Sequence, residues 1–273
     1  MRRILSTATT EFRIALRNRW VTIALALMAV FSLVLSLAGS APTGGLGVDR
    51  LSVVVASLTS LSVYLIPLLA LLMSFDAIAG EAERGTLPLL LAYPIAREEV
   101  LLGKLVAHLS ILTLAVLLGH GIAAAVAIWA DSGAFSGLPA LWRLSWSSVL
   151  LGATFLGAGY ALSSLSRRPS GAAGLAIGLW LGLVVLYDLA LLSAIVADNG
   201  GWFTTWGFPL ALVTNPADAF RLFNLTASGA TASAAGVGGA ANAIPLWQSL
   251  ASILLWPLVA LVLAAAAFRR VTP

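Results

Sequence analysis

LSVVVASLTSLSVYLIPLLALLMSF, residues 51–75, runs between Arg50 and Asp76 without one charged side chain. An α-helix rises about 1.5 Å per residue and a bilayer's hydrocarbon core is about 30 Å thick, so about 20 apolar residues cross it. This run is long enough. Five further apolar runs lie on either side of it, at 20–39, 105–130, 147–166, 170–196 and 246–268. Only Arg167, Arg168 and Pro169 part the fourth from the fifth, which leaves room for a tight turn. The expected fold is therefore an all-α polytopic membrane protein of six transmembrane helices. Composition agrees: the 273 residues are 60% hydrophobic and 10% charged, where a soluble domain carries about 25% charged residues. Lipid has to be the solvent for most of this apolar surface. No cysteine is present, which excludes disulfides, thiolate catalysis and cysteine metal sites.

The basic residues set the orientation. With the N-terminus inside, the cytoplasmic set is Arg2, Arg3, Arg13, Arg17, Arg19, Arg84, Arg97, Lys104, Arg167, Arg168, Arg269 and Arg270. Arg50, Arg143 and Arg221 fall outside, and the two sets account for all 15. Every cytoplasmic segment contributes, as the positive-inside rule requires. Both termini are expected in the cytoplasm of a bacterial inner-membrane protein. The net charge of +4 is explained by anionic lipid and topology, not by nucleic acid. The first apolar run is longer than the 7–15 residues of a signal-peptide core, and Glu11 interrupts its charged lead, so an uncleaved helix is expected. Within residues 1–19, Ile4, Leu5, Ala8, Phe12, Ile14, Ala15 and Leu16 recur at near-helical spacing among arginines. That pattern predicts an amphipathic helix in the cytoplasmic interface.

Two segments between the runs carry information. Residues 197–245 are expected to form a periplasmic loop. In it Trp202, Trp206 and Phe208 are interfacial anchors by type, 216–225 reads as a short amphipathic helix, and 228–243 is a small-residue tract expected to be a flexible loop or to be ordered by a partner. Trp202, Trp206, Asp218, Phe220 and Arg221 are the candidate contacts with a periplasmic partner. The other segment, the cytoplasmic loop 76–104, is the densest charge cluster in the chain: Asp76, Glu81, Glu83, Glu98 and Glu99 with Arg84, Arg97 and Lys104. Its middle, Leu87 to Tyr93, is apolar and too short to span. A short amphipathic helix with Thr86 as its N-cap, followed by a Pro94-Ile95 turn, fits this pattern. An apolar helix face in the cytoplasm requires a groove on another protein.

The string Glu81-x-Glu83-Arg84-Gly85-Thr86-Leu87-x-x-Leu90-Leu91-x-x-Pro94-Ile95-x-Arg97, followed by Leu102-Gly103-Lys104, resembles the coupling region of permeases in the type-2 ABC exporter family. Arg17-Asn18-Arg19-Trp20, Tyr64 to Leu68, Phe75 to Ile78 and Asn215 to Arg221 are similar to the branch that serves maturation of nitrous-oxide reductase. The resemblance implies a homodimer and a cytoplasmic ATPase subunit that carries ATP and Mg. It also implies a coupling helix seated in a groove of that ATPase, and a periplasmic β-helical, NosD-like partner. Glu81, Glu83, Arg84, Gly85, Thr86, Leu87, Leu90, Pro94, Arg97 and Lys104 would form the coupling site. The chain itself has no Gly-x-x-x-x-Gly-Lys-Ser/Thr loop. Leu105 follows Gly103-Lys104, and Glu98 stands where the first glycine belongs. No enzyme activity and no cofactor are expected in this chain.

Few polar groups lie inside the spans. Asp188 in the fifth is either a functional site or a hydrated carboxylate near the outer interface. His120 is read as an interhelical hydrogen-bonding group, and His108 lies at the inner end of the same span. Gly174, Gly178 and Gly182 share one face of the fifth helix, for packing within the subunit or at a dimer seam. No Ser/His, paired-Asp or Glu-x-x-His set points to an intramembrane enzyme. Alternatives to the lead reading are a type-2 permease for an unrelated substrate and an ion-coupled secondary transporter, which would carry several buried ionisable groups. With no Cys, only Met1, Met28 and Met73, and only His108 and His120, the chain offers no relay of soft ligands for copper and no metal site is expected.

Overall fold

The computed structural model describes residues 2–16, 19–38, 48–93, 95–235 and 244–271. These residues are predominantly helical, with no strand among them. Six helical stretches are long and apolar enough to cross a membrane. The elements are α1 (Arg2–Leu16), α2 (Arg19–Ala38), α3 (Arg50–Ser74), α4 (Ala79–Glu83), α5 (Thr86–Ala92), α6 (Arg97–Ala130) and α7 (Leu138–Leu165). They continue with α8 (Pro169–Trp180), α9 (Tyr187–Asp198), α10 (Phe208–Thr214), α11 (Pro216–Thr226), α12 (Gly229–Ala234) and α13 (Leu246–Arg269).

Local chemistry explains where several of these begin and end. The carboxylate of Asp49 accepts the backbone N–H of Ser52 at 2.9 Å and its hydroxyl at 2.6 Å, so the second long helix starts capped. Glu99 reaches back to the Ala96 N–H at 3.0 Å and starts α6 at Arg97, ahead of the apolar run that begins at 105. A 3-10 turn, Ser132–Gly137, leads into α7, which starts at Leu138 where the expected span began at 147.

The core is α3, α7 and α13 packed side by side, with α1 and α2 laid along α6. Glycine lets α7 approach α13 closely at Gly157, where an added Cβ would stand 2.9 Å from the Cβ of Ala260 and 3.0 Å from its carbonyl carbon. In lipid, backbones gain dispersion contact by meeting over such small residues. The fifth crossing is different. It consists of α8, a π-helical turn Leu181–Leu186, and α9. Its buried residues are Ala172, Ala176, Val184 and Leu191, and most of the rest is open.

Where the sequence reading expects a loop over 197–245, the described part folds back into the bundle. α10 and α11 form a helical hairpin, and α11 packs on α13, α3 and α7. Asn215 makes the turn. Its Oδ1 accepts the Ala217 N–H at 2.8 Å and its Nδ2 donates to the Leu183 carbonyl at 2.8 Å, midway along the fifth crossing. Tyr187 donates its hydroxyl to Ala211 O at 2.9 Å, and Asn224 Nδ2 donates to Ser147 Oγ at 2.9 Å. Segments too short to span alone thus satisfy their backbone ends on helices that do. Part of the small-residue tract is also ordered by the chain itself, as α12, whose first turn is capped by Ser228. Residues 236–243 lie outside those described.

Candidate functional site

The loop between α3 and α6 is held from three directions. α4 has no side-chain cap of its own. Ser163 of α7 supplies one, its Oγ accepting the backbone N–H groups of Ile78 at 3.0 Å and Ala79 at 2.9 Å. Two of the free donors at the start of α4 are thereby satisfied from a helix 85 residues away. Gly85 then turns the chain from α4 into α5 with φ +68°, a left-handed conformation that a residue with a Cβ adopts at a cost of about 1 kcal/mol or more. This corrects the expectation for Thr86. Gly85 occupies the N-cap position, Thr86 is already inside α5, and its hydroxyl donates to Glu81 O at 3.2 Å.

The leucines of α5 divide into two faces. Leu87 is buried in the core, with Leu90 and Leu91 half-buried beside it. Leu89 and Tyr93, one turn apart, are each 67% exposed. Leu87 and Leu90, expected as contacts for another protein, instead dock α5 on its own bundle. The outward face is Leu89, Tyr93, Glu83, Arg84 and Thr86. Spacing i, i+3, i+4 marks the docking stripe Leu87, Leu90, Leu91, and i, i+4 the outward pair, so the wheel already held this division. Pro94 lies outside the described residues.

Lys104 is the anchor of the arrangement. Its side chain is 3% exposed, and its Nζ donates to Glu11 Oε1 and to Glu81 Oε1, each at 2.6 Å. A buried ammonium between two carboxylates ties α1, α4 and α6 together. Two expected coupling residues, Glu81 and Lys104, are therefore turned inward. Glu11 is the residue that sequence reasoning missed; its signal was to be the one acid among the arginines of the N-terminal segment. Arg97 is also committed within the chain. Its Nη1 donates to the carbonyls of Phe268 and Val271, each at 2.6 Å, and its guanidinium lies 5.5 Å from the Phe268 ring centroid. It closes the C-terminus of α13, whose last carbonyls have no helical donor. Arg269 meets Glu98 at 2.8 Å on the same side. Arg84 stays outermost, 3.6 Å from Asp76.

The opposite end holds a second trio. Arg221 of α11 donates to Asp188 Oδ2 at 2.9 Å and Asp218 Oδ1 at 3.1 Å. Asp188 is thus neither isolated nor merely hydrated: it joins the hairpin to α9. Asp218 and Phe220 are buried and present no surface to a partner, because α11 is inside the bundle. Trp202 and Trp206 remain open, each 73% exposed. His120 Nδ1 pairs with Ser145 Oγ at 2.9 Å across α6 and α7, an interhelical hydrogen bond as read from sequence, and His108 Nδ1 pairs with Tyr160 at 2.8 Å. Gly174, Gly178 and Gly182 have no atom within 4 Å of an added Cβ. Packing among the described residues of the subunit does not use this face. Among the described residues no group of three or more His, Asp or Glu is placed to hold a metal ion.

Six helical stretches long and apolar enough to span, with a short helical hairpin packed among them, describe a multi-pass all-α membrane protein. The profile of the ABC-2 family transporter proteins matches residues 5–272, and the chain belongs to that family as a permease subunit of an ABC transporter. It is similar to the probable ABC transporter permease protein NosY of Pseudomonas aeruginosa, 44% identical over 270 residues and 96% of each chain. A protein of the same name from Stutzerimonas stutzeri is 42% identical over 277 aligned positions and 99% of each chain.

Proposed function

We propose that α4 and α5 form the cytoplasmic coupling element by which a separate ATPase subunit, carrying ATP and Mg, drives this permease. The observation that carries the reading is the face of Leu89 and Tyr93. It is apolar and outward on a helix whose other face is anchored by Leu87 and whose neighbour is tied by Lys104 to α1 and α6. An ATPase pushing on this face moves α6 as a lever. Both termini and the α4–α5 loop face the cytoplasm of the bacterial inner membrane in this reading, which the arginine distribution supports.

The functional unit is a homodimer, with the open glycine face of α8 and α9 near its seam. Likeness to the NosY permeases supports service to the copper sites of periplasmic nitrous-oxide reductase, with a β-helical periplasmic partner at the exposed Trp202 and Trp206. The cargo is a small, sulfur-containing or other, species other than bare copper, or the permease transmits motion alone. Its two histidines are engaged with Tyr160 and Ser145 and Met28 is buried, which supports this reading; Met73 and His108 are the two soft ligands that share a cavity.

A photo-crosslinking residue at position 89 tests the coupling reading. Crosslinking to a subunit that also labels with an ATP photoprobe is the expected result. A crosslink confined to lipid would overturn it.

A further inference from the structure

Two cavities share a wall beneath the α4–α5 loop, and the first is walled by the Lys104 tie itself. The first, about 240 Å³, lies where α3 gives way to α4 and is lined by Glu11, Asp76, Glu81, Arg84 and Lys104, with His108. The second, about 220 Å³, lies between α3 and α8 and is almost wholly apolar, lined by Leu68, Leu71, Ala173, Ala176 and Ile177. Leu72 and Phe75 line both. A charged chamber therefore adjoins an apolar one along the last turns of α3, with the apolar chamber toward the bilayer's interior.

The charges in the first chamber are incompletely matched. Lys104 spends two of its three donors on Glu11 and Glu81. The other oxygen of Glu81, Oε2, is buried and has no hydrogen-bond partner among the described residues, a costly condition for a carboxylate. Arg84 is more than half exposed and touches Asp76 only at 3.6 Å. It is free to turn its guanidinium onto a phosphate. Room exists for a head group of roughly eight non-hydrogen atoms at about 30 Å³ each.

We infer that the paired chambers bind a phospholipid with a protonated amine head group, phosphatidylethanolamine in kind, from the leaflet at this end of the bundle. Its ammonium donates to Glu81 Oε2, its phosphate meets Arg84, and one acyl chain lies in the groove between α3 and α8. A trimethylated amine has no N–H and cannot satisfy Glu81. The lipid touches both the α1–α4–α6 tie and α8, so bilayer composition acts on coupling at this point. The inference stands independently of the cargo.

The test uses the full-length chain in detergent, offered equimolar phosphatidylethanolamine, phosphatidylcholine and phosphatidylglycerol of identical acyl chains, with retained lipid read by native mass spectrometry. The expected result is retention of the ethanolamine lipid about tenfold above the other two, the effect of one charge-assisted hydrogen bond. Glu81→Gln keeps an oxygen for Lys104 and should bring the preference close to one. Ala173→Phe leaves the charged chamber alone, fills the apolar one and should lower retention of the ethanolamine lipid severalfold. Equal retention of the three lipids, a preference for phosphatidylglycerol, or unchanged retention in Ala173→Phe would overturn the site.

Discussion

Each end of the bundle holds one cation between two carboxylates, and the two trios differ in what they leave open. Lys104 is enclosed, and its partners Glu11 and Glu81 are mostly so, with side chains 18% and 17% exposed. Arg221 and Asp188 are 27% and 30% exposed, with only Asp218 shut away. The first trio joins helices at the base of the molecule into one body. The second joins the α10–α11 hairpin to the least packed of the six long helical stretches, on a side where the single chain offers little cover. Ionisable groups at that depth are expensive against hydrocarbon. The contrast is between a base closed into one body and a far end that the single chain leaves partly open, which fits the proposed coupling at the base and the proposed second copy at the far end.

The largest expected effect is at the base. Lys104→Met leaves two carboxylates facing each other without their cation, and should lower stability by about 3 kcal/mol, read as thermal unfolding in detergent. A loss below about 1 kcal/mol would show that the base trio is not the tie. Arg221→Leu should cost less, about 1 to 2 kcal/mol, because half-open pairs are screened while Asp218 is left unpaired. A double-mutant cycle with Asp188→Leu isolates the link between hairpin and α9. If its coupling equals that of Lys104 with Glu11, the two ends do not differ as described. Asn215→Ala removes the turn's cap and its bond to Leu183, for about 1 kcal/mol. Hydrogen exchange should quicken in α10 and α11 and stay unchanged in α4 and α5. Gly178→Leu should change the stability of the isolated chain by no more than about 0.5 kcal/mol, since nothing lies within 4 Å of its Cβ position. It should nonetheless weaken the dimer, measured by light scattering. An intact dimer would move the seam off this face.

Much of this was legible in the sequence because lipid imposes a simple rule. Runs such as 51–75 have to be helices, and arginines sort the ends. The loop 76–104 was legible as a distinct place, since a charged loop with a leucine-rich middle is unusual, and its short helices α4 and α5 follow that pattern. Its internal assignments were less so. Glu81 and Arg97 look like surface groups in one dimension, and only the fold shows that a lysine on α6 and the end of α13 claim them. The hairpin was hidden for a related reason. α10 and α11 are too short to register as crossings, and their burial depends on Leu183 and Ser147 from distant helices. Small residues in 228–243 carry no periodic signal at all, so α12 had none to offer.

The central claim is that the outward face of α5 receives an ATPase while its inward face holds the bundle. Leu89→Asp with Tyr93→Asp tests it most directly, by co-purification of the ATPase subunit with the affinity-tagged chain from membranes. The account predicts a loss of bound ATPase of roughly tenfold or more, as for a hot-spot pair, with membrane level and thermal stability of the chain unchanged. Undiminished ATPase in the double variant, with the chain correctly folded, would contradict it.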